Sequence, residues 1–129
     1  MRPIINFWHI CLSLILIAVT TASLADTSNK WRLEFDGSAD TSGIITIQVN
    51  TPDSESIRVD IEVPFDMGEN DVAKHVQKYL EAQLPKDIYH VERDDWEDVL
   101  IKKHWGEENF EVIILANTVK GVEIDLEKE

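Results

Sequence analysis

The chain has almost no cysteine, little glycine and few basic residues, and each shortage excludes a class of function. Its single cysteine, Cys11, lies within the first 25 residues, so residues 26–129 contain no disulfide and no cysteine metal ligand. The five glycines stand singly, which excludes a glycine-rich loop that cradles phosphate groups. Residues 26–129 must therefore be stabilised by an apolar core.

Basic residues are outnumbered throughout the chain, with 12 Lys and Arg against 25 Asp and Glu. Arg2 is the one charged residue of the first 25, so residues 26–129 carry 11 basic and 25 acidic residues, a formal charge of −14. Such a surface repels nucleic acid and anionic lipid head groups. We expect neither as a partner, and the charge favours a basic protein instead.

The first 25 residues have the pattern of an export signal. One basic residue precedes an apolar stretch, and Ser23-Leu24-Ala25 fits the small-x-small site of a signal peptidase, so cleavage is expected before Asp26. The alternative is an uncleaved anchor over residues 4–25, because the apolar stretch is about 20 residues long. Both predict that residues 26–129 are exported, as a periplasmic or secreted domain or as a membrane-anchored one.

Three segments alternate apolar and polar residues with the period of half-buried strands. The apolar residues of 30–36 share one face, so Trp31 is predicted to be buried. Residues 45–49 and 57–63 repeat the pattern after the turn sequences GSADTSG and TPDSES. This order predicts a three-stranded meander that begins with a hairpin.

After the third strand the period becomes helical, with Val72, Val76 and Leu80 on one face. Asn70 or Asp71 is expected to cap the start of this helix.

Four more strands are predicted after the helix, at residues 88–93, 99–105, 110–115 and 122–127. The sequence of 110–115, FEVIIL, is mostly apolar, which predicts a strand in the centre of its sheet. The order β-β-β-α-β-β-β-β predicts a single acidic α+β domain over residues 26–129, with one amphipathic helix packed on a face of an antiparallel sheet.

Residues that carry chemistry are not grouped in any catalytic pattern. His75, His90 and His104 show no HxxxH or HxH spacing, and no serine stands in a GxSxG motif. The acidic run 94–98 has the carboxylates of a calcium turn but neither the spacing nor the glycine of an EF-hand, so ordinary turn chemistry explains it. We therefore expect no cofactor, no metal and no catalysis.

Trp96 and Trp105 lie in or beside charged turns, where the sequence predicts no apolar core for their side chains to pack against. Exposed aromatic residues near turns are frequent anchors of protein interfaces, although tryptophans also cap the ends of sheets. The predicted partner-binding residues combine these tryptophans with the adjacent acids: Asp94, Asp95, Trp96, Glu97, Trp105, Glu107 and Glu108.

Residues 43–126 resemble a small β-β-α-β-β domain. A strand of ITI-V type precedes a helix that opens with residues 69–76, ENDVAKHV, and GEENFEVIIL at 106–115 is followed by VKGV at 119–122. This pattern is similar to that of domains in phage tail proteins and of the flagellin hook-inserted motif. The resemblance implies an assembly or binding module without catalysis, and no functional residue carries over from it.

Together these features predict an exported, non-catalytic module for protein–protein interaction or assembly in the cell envelope. Self-association is compatible with this hypothesis, since free sheet edges allow strand addition. One alternative is an envelope inhibitor or immunity-type protein that binds a basic hydrolase. A second alternative is a small metal-dependent or hydrolytic enzyme, which would need a pocket that gathers histidines with carboxylates.

Overall fold

The structure, a computed structural model, describes residues 26–129. They form seven strands in two antiparallel sheets and one helix, which confirms the predicted α+β class and the order β-β-β-α-β-β-β-β. The predicted signal peptide, residues 1–25, lies outside the described residues. The elements are β1 (Lys30–Asp36), β2 (Gly43–Asn50), β3 (Ile57–Val63), α1 (Glu69–Gln83), β4 (Tyr89–Asp94), β5 (Asp98–Lys103), β6 (Glu111–Asn117) and β7 (Glu123–Lys128).

One core lies between the two sheets. The four-stranded sheet has the order β4-β5-β1-β7 and the three-stranded sheet the order β3-β2-β6. Alternation along each strand turns one apolar face inward, as Leu33 of β1 and Ile47 of β2 illustrate, both fully buried. Trp31 is buried, as predicted, and its indole Nε1 donates a hydrogen bond of 2.8 Å to the carbonyl oxygen of Phe110.

The helix closes one side of this core. Its buried residues are Val72, Ala73, Val76 and Leu80, which confirms the predicted apolar face, and it packs against β1, β3, β4 and β5. Burial of one such aliphatic side chain contributes about 1.5–3 kcal/mol.

The predicted helix cap is wrong, because Gly68 occupies the N-cap position without any side-chain capping bond. The first-turn acid Glu69 instead accepts a hydrogen bond of 3.0 Å from the backbone N–H of Gly37. The N-cap therefore lies two or three residues before the predicted one, and the first turn of the helix is hydrogen-bonded to the loop after β1.

The predicted meander of the first three strands is wrong, because β1 pairs with β5 and β7 and only β2 pairs with β3. The loop after β1 carries the chain from one sheet to the other instead of making a hairpin. It crosses the β6–β7 connection so closely that a Cβ atom on Gly37 would lie 2.0 Å from the carbonyl oxygen of Gly121. Both glycines have positive φ, so this crossing requires glycine.

The prediction that FEVIIL forms a central strand is also wrong, because β6 lies at the edge of the three-stranded sheet. Its pairing with β2 shifts register between Thr46 and Ile47, which leaves Leu115 as an extra bulged residue. Leu115 is consequently exposed, while Val112 remains in the core. The apolar run therefore does not indicate burial on both faces, because Ile113, on the face opposite to Val112, is only half-buried.

Candidate functional site

The densest group of predicted site residues lies at the turn between β4 and β5. Strand pairing ends at Asp94 opposite Asp98, which leaves a three-residue turn, Asp95, Trp96 and Glu97, hereafter the hairpin tip. The backbone N–H of Glu97 donates to the carbonyl oxygen of Asp95 at 2.6 Å, and the Glu97 carbonyl accepts from Phe35 at 3.0 Å. The tip is therefore hydrogen-bonded to β1 as well as within itself.

Trp96 is exposed to solvent at a turn whose backbone conformation is unfavourable for a residue with a side chain. Asp95 and Trp96 have φ values of 45° and 62°, a region that favours glycine and asparagine. The Trp96 side chain is 70% exposed, and the guanidinium carbon of Arg93 lies 5.7 Å from its ring centroid. The sequence left the exposure of this tryptophan open, since only the turn geometry determines it.

The remaining predicted residues lie elsewhere. Trp105 is fully exposed in the turn after β5, where the ammonium group of Lys103 donates to the carbonyl oxygen of Glu107 at 2.6 Å. This turn and the hairpin tip are at opposite ends of β5, about 20 Å apart for a six-residue strand. The structure therefore brings together Asp94, Asp95, Trp96 and Glu97 but separates them from Trp105, Glu107 and Glu108.

A row of four carboxylates crosses the four-stranded sheet beside the hairpin tip. Strand register places Asp94 opposite Asp98, Asp98 opposite Glu34, and Glu34 opposite Asp125. Residues directly opposite each other share a face, so these four side chains, hereafter the acid row, lie on the outer face of the sheet. Like charges in such positions destabilise a sheet.

Sequence reasoning missed the acid row because alternation does not reveal which strands are neighbours. Glu34 and Asp125 each stood on the polar face of a predicted strand, 91 positions apart in the chain. In the sequence, the one indication of the acid row was that the polar residues of both strands are mostly acidic. The pairing of β1 with β5 and β7 brings these faces together.

Arg32 neutralises one end of this row. Its Nη1 lies 2.5 Å from Asp98 Oδ2, its Nη2 lies 3.1 Å from Asp94 Oδ2, and its Nε binds Glu129. These carboxylates raise the pKa of Arg32, with the hydrogen bond to Glu129 the largest cause, and Arg32 in turn lowers the pKa of Glu129. Two carboxylates of the acidic run 94–98, those of Asp94 and Asp98, are thus paired with a cation of the chain itself, the guanidinium of Arg32.

The other end of the row is not neutralised. The pKa of Glu34 is raised, first by repulsion from Asp98, then by desolvation and by the charges of Asp125, Glu127 and Glu97. Asp98 is itself buried, and among the described residues its Oδ1 atom has no hydrogen-bond partner. The acid row therefore has one end, Asp94 and Asp98, that is paired with Arg32 and one end, Glu34 and Asp125, that lacks positive charge.

Two of the three histidines in residues 26–129 approach each other, away from the acid row. The ring centroids of His90 and His104 are 6.3 Å apart, and both side chains line a cavity of about 300 Å³. The Nε2 atom of His90 lies 3.1 Å from Glu92 Oε2. The Nε2 atom of His104 lies 2.8 Å from the carbonyl oxygen of Lys86. His75 is separate, with Nε2 2.6 Å from the carbonyl oxygen of Glu62. Within residues 26–129, no group of three or more His, Asp or Glu side chains is arranged to hold a metal ion.

Comparisons with protein-family models, curated proteins and solved structures find no match to the chain. The resemblance to phage tail and flagellin hook-inserted domains therefore stays a prediction. In the part of the chain that the structure describes, no helix has the length and apolar character needed to cross a membrane.

Proposed function

We propose that this chain is an exported, non-catalytic domain that binds another protein through the hairpin tip. The observation that carries the proposal is Trp96, which is 70% exposed at the end of a strained turn. A non-glycine residue in the left-handed region costs about 1–2 kcal/mol. An apolar side chain exposed at such a cost is typical of a residue that becomes buried in a complex.

The surroundings of Trp96 have the composition of an interface. A tryptophan combines a large apolar area with little conformational entropy, and Asp95 and Glu97 flank it with a charged rim. The cation–π contact with Arg93 restricts the ring before any partner arrives, which lowers the entropic cost of binding.

The test compares Trp96→Ala with Trp105→Ala in affinity capture from envelope extract. Each variant removes one exposed tryptophan from a turn, so both should lose nonspecific hydrophobic adhesion to the same extent. We expect Trp96→Ala to reduce capture of the specific partner at least about tenfold and Trp105→Ala to leave it unchanged. Equal capture by both variants would reject the hairpin tip as the contact.

A second candidate function, inhibition of a basic hydrolase, is favoured by the acid row. A surface of one charge sign accelerates association with an oppositely charged enzyme and makes it sensitive to salt. A captured partner would then be an enzyme that loses activity upon addition of this chain. A partner with no activity, or with unchanged activity, favours the assembly module instead.

A further inference from the structure

The charges on the outer face of the four-stranded sheet do not balance. This face comprises the polar residues of β4, β5, β1 and β7 that point away from the core, together with Glu129 directly after β7, and it carries three basic and nine acidic residues. The basic ones are Lys30, Arg32 and Lys102.

Each of these three basic residues is already engaged by an acid of the same face. Lys30 lies 3.7 Å from Glu129, Arg32 binds Asp94, Asp98 and Glu129, and Lys102 binds Glu92. Five further carboxylates form no ion pair within residues 26–129. They are contiguous on β1 and β7: Glu34, Asp36, Glu123, Asp125 and Glu127.

The burial of Asp98 adds an observation that is independent of the charge count. Its side chain is only 8% exposed, yet Oδ1 has no hydrogen-bond partner among the described residues, while Oδ2 is bound by Arg32. A buried acceptor left without a donor destabilises the fold, and a carboxylate accepts several bonds. Asp98 stands between Asp94 and Glu34, so the unsatisfied oxygen lies in the acid row itself.

The geometry points to an arginine-rich surface of a partner protein as the ligand of the acid row, an inference that rests on the proposed function and deepens it. Strands are about 4.8 Å apart, so the row extends over about 14 Å. A single cation holds its ligands at about 2.5 Å and cannot contact a row of that length. Several guanidinium groups can, because each carries N–H donors on three nitrogens, and Arg32 already donates from separate nitrogens to Asp98 and Asp94.

A second copy of this chain is a poor occupant of the same face. It would bring nine acids of its own against three basic residues that are already paired. The acid row also adjoins the hairpin tip, since Asp94 and Asp98 are the last pair before Trp96. A basic partner that buries Trp96 would therefore place its own basic residues over the acid row. Trp96 would then provide the apolar anchor and the acid row the adjacent charged surface.

The test uses a hexa-arginine peptide as the probe and the chain as recovered from cells that produce the full sequence. The variant Glu34→Gln/Asp125→Asn removes two charges from the row with little change of shape. The control Asp53→Asn/Glu55→Gln removes two charges from the exposed turn between β2 and β3. We expect at least about tenfold weaker peptide binding for the row variant and less than about twofold for the control, with NMR shifts confined to the outer face.

Equal weakening by the two variants would overturn the inference, because binding would then follow net charge alone. Displacement of the peptide by millimolar Ca²⁺, with the same residues shifted, would overturn it in favour of a cation site. The outcome is distinguishable from failure of the proposed function, which concerns the native partner and Trp96. If Trp96→Ala abolishes capture of the native partner but the row variant binds the peptide as well as the control variant does, only the inference about the acid row is wrong.

Discussion

At the scale of single residues, the hairpin tip combines strain with exposure. Two consecutive residues, Asp95 and Trp96, have positive φ, a backbone region that asparagine and glycine adopt at lower cost. Strain of this kind concentrates at functional sites, where a gain in binding offsets a loss of stability. The account therefore predicts that stability and partner capture respond in opposite directions when this turn is relaxed.

The double variant Asp95→Asn/Trp96→Gly should raise the free energy of unfolding by about 1–2 kcal/mol, because both residues then accept positive φ at little cost. In thermal unfolding this corresponds to an increase of at least about 4 °C in Tm. Capture of the partner should be lost in the same variant. A lower Tm would show that the turn is not strained.

Glu34 provides the second residue-scale prediction. Its raised pKa means that the folded state holds this proton more tightly than the unfolded chain, so its ionisation lowers stability as pH rises past the ordinary glutamate range. Glu34→Gln should therefore increase the urea midpoint at about pH 7 and leave it unchanged at about pH 3, where the carboxyl is protonated in both states. The control is Glu55→Gln, an exposed acid in the β2–β3 turn. A Glu34→Gln midpoint equal to that of the control at neutral pH would contradict the repulsion.

At the scale of elements, β1 organises the outer face as well as the core. Its inward residues are buried, and its outward Arg32 joins β4, β5 and the end of the chain through Asp94, Asp98 and Glu129. Leu100, directly opposite Arg32, is only 2% exposed although it points away from the core, and Glu92 flanks it on the other side. Arg32 thus contributes both charge and cover for an apolar residue.

Arg32→Ala should lower the free energy of unfolding by about 3 kcal/mol, because it leaves Asp98 buried with no compensating charge. Arg32→Lys keeps the charge but loses the multiple contacts, so a smaller loss of about 1–2 kcal/mol is expected. Urea unfolding followed by tryptophan fluorescence measures both. If the two variants are equally destabilised, the charge of Arg32 matters less than its geometry.

Elements also mark the limit of what the sequence predicts. The alternation in residues 30–36 predicted β1 and the burial of Trp31, because both follow from local periodicity. The pairing of β1 with β5 and β7 could not be predicted in this way. It requires the chain to cross between the sheets at Gly37 and Gly121, a long-range feature that no local pattern contains. The acid row was missed for that reason, whereas the hairpin tip, a contiguous segment, was found.

At the scale of the whole molecule, the formal charge of −14 on residues 26–129 produces self-repulsion that the core must overcome. Raising NaCl from about 10 mM to about 1 M shortens the screening length from about 30 Å to about 3 Å. Tm should therefore increase with salt, whereas binding of a basic partner should weaken. A salt-independent Tm would indicate that the acids do not repel each other appreciably.

The most direct test of binding through the hairpin tip and the acid row is site-specific photocrosslinking in cells that produce the full sequence. A photoreactive side chain would replace Asp95, beside Trp96 in the hairpin tip, or Asp125, with Trp105 and Glu55 as exposed positions outside the surface. We expect the same crosslinked partner at positions 95 and 125 and none at 105 and 55. A partner crosslinked only at 105 or 55, or none at 95 and 125, would contradict binding through this surface.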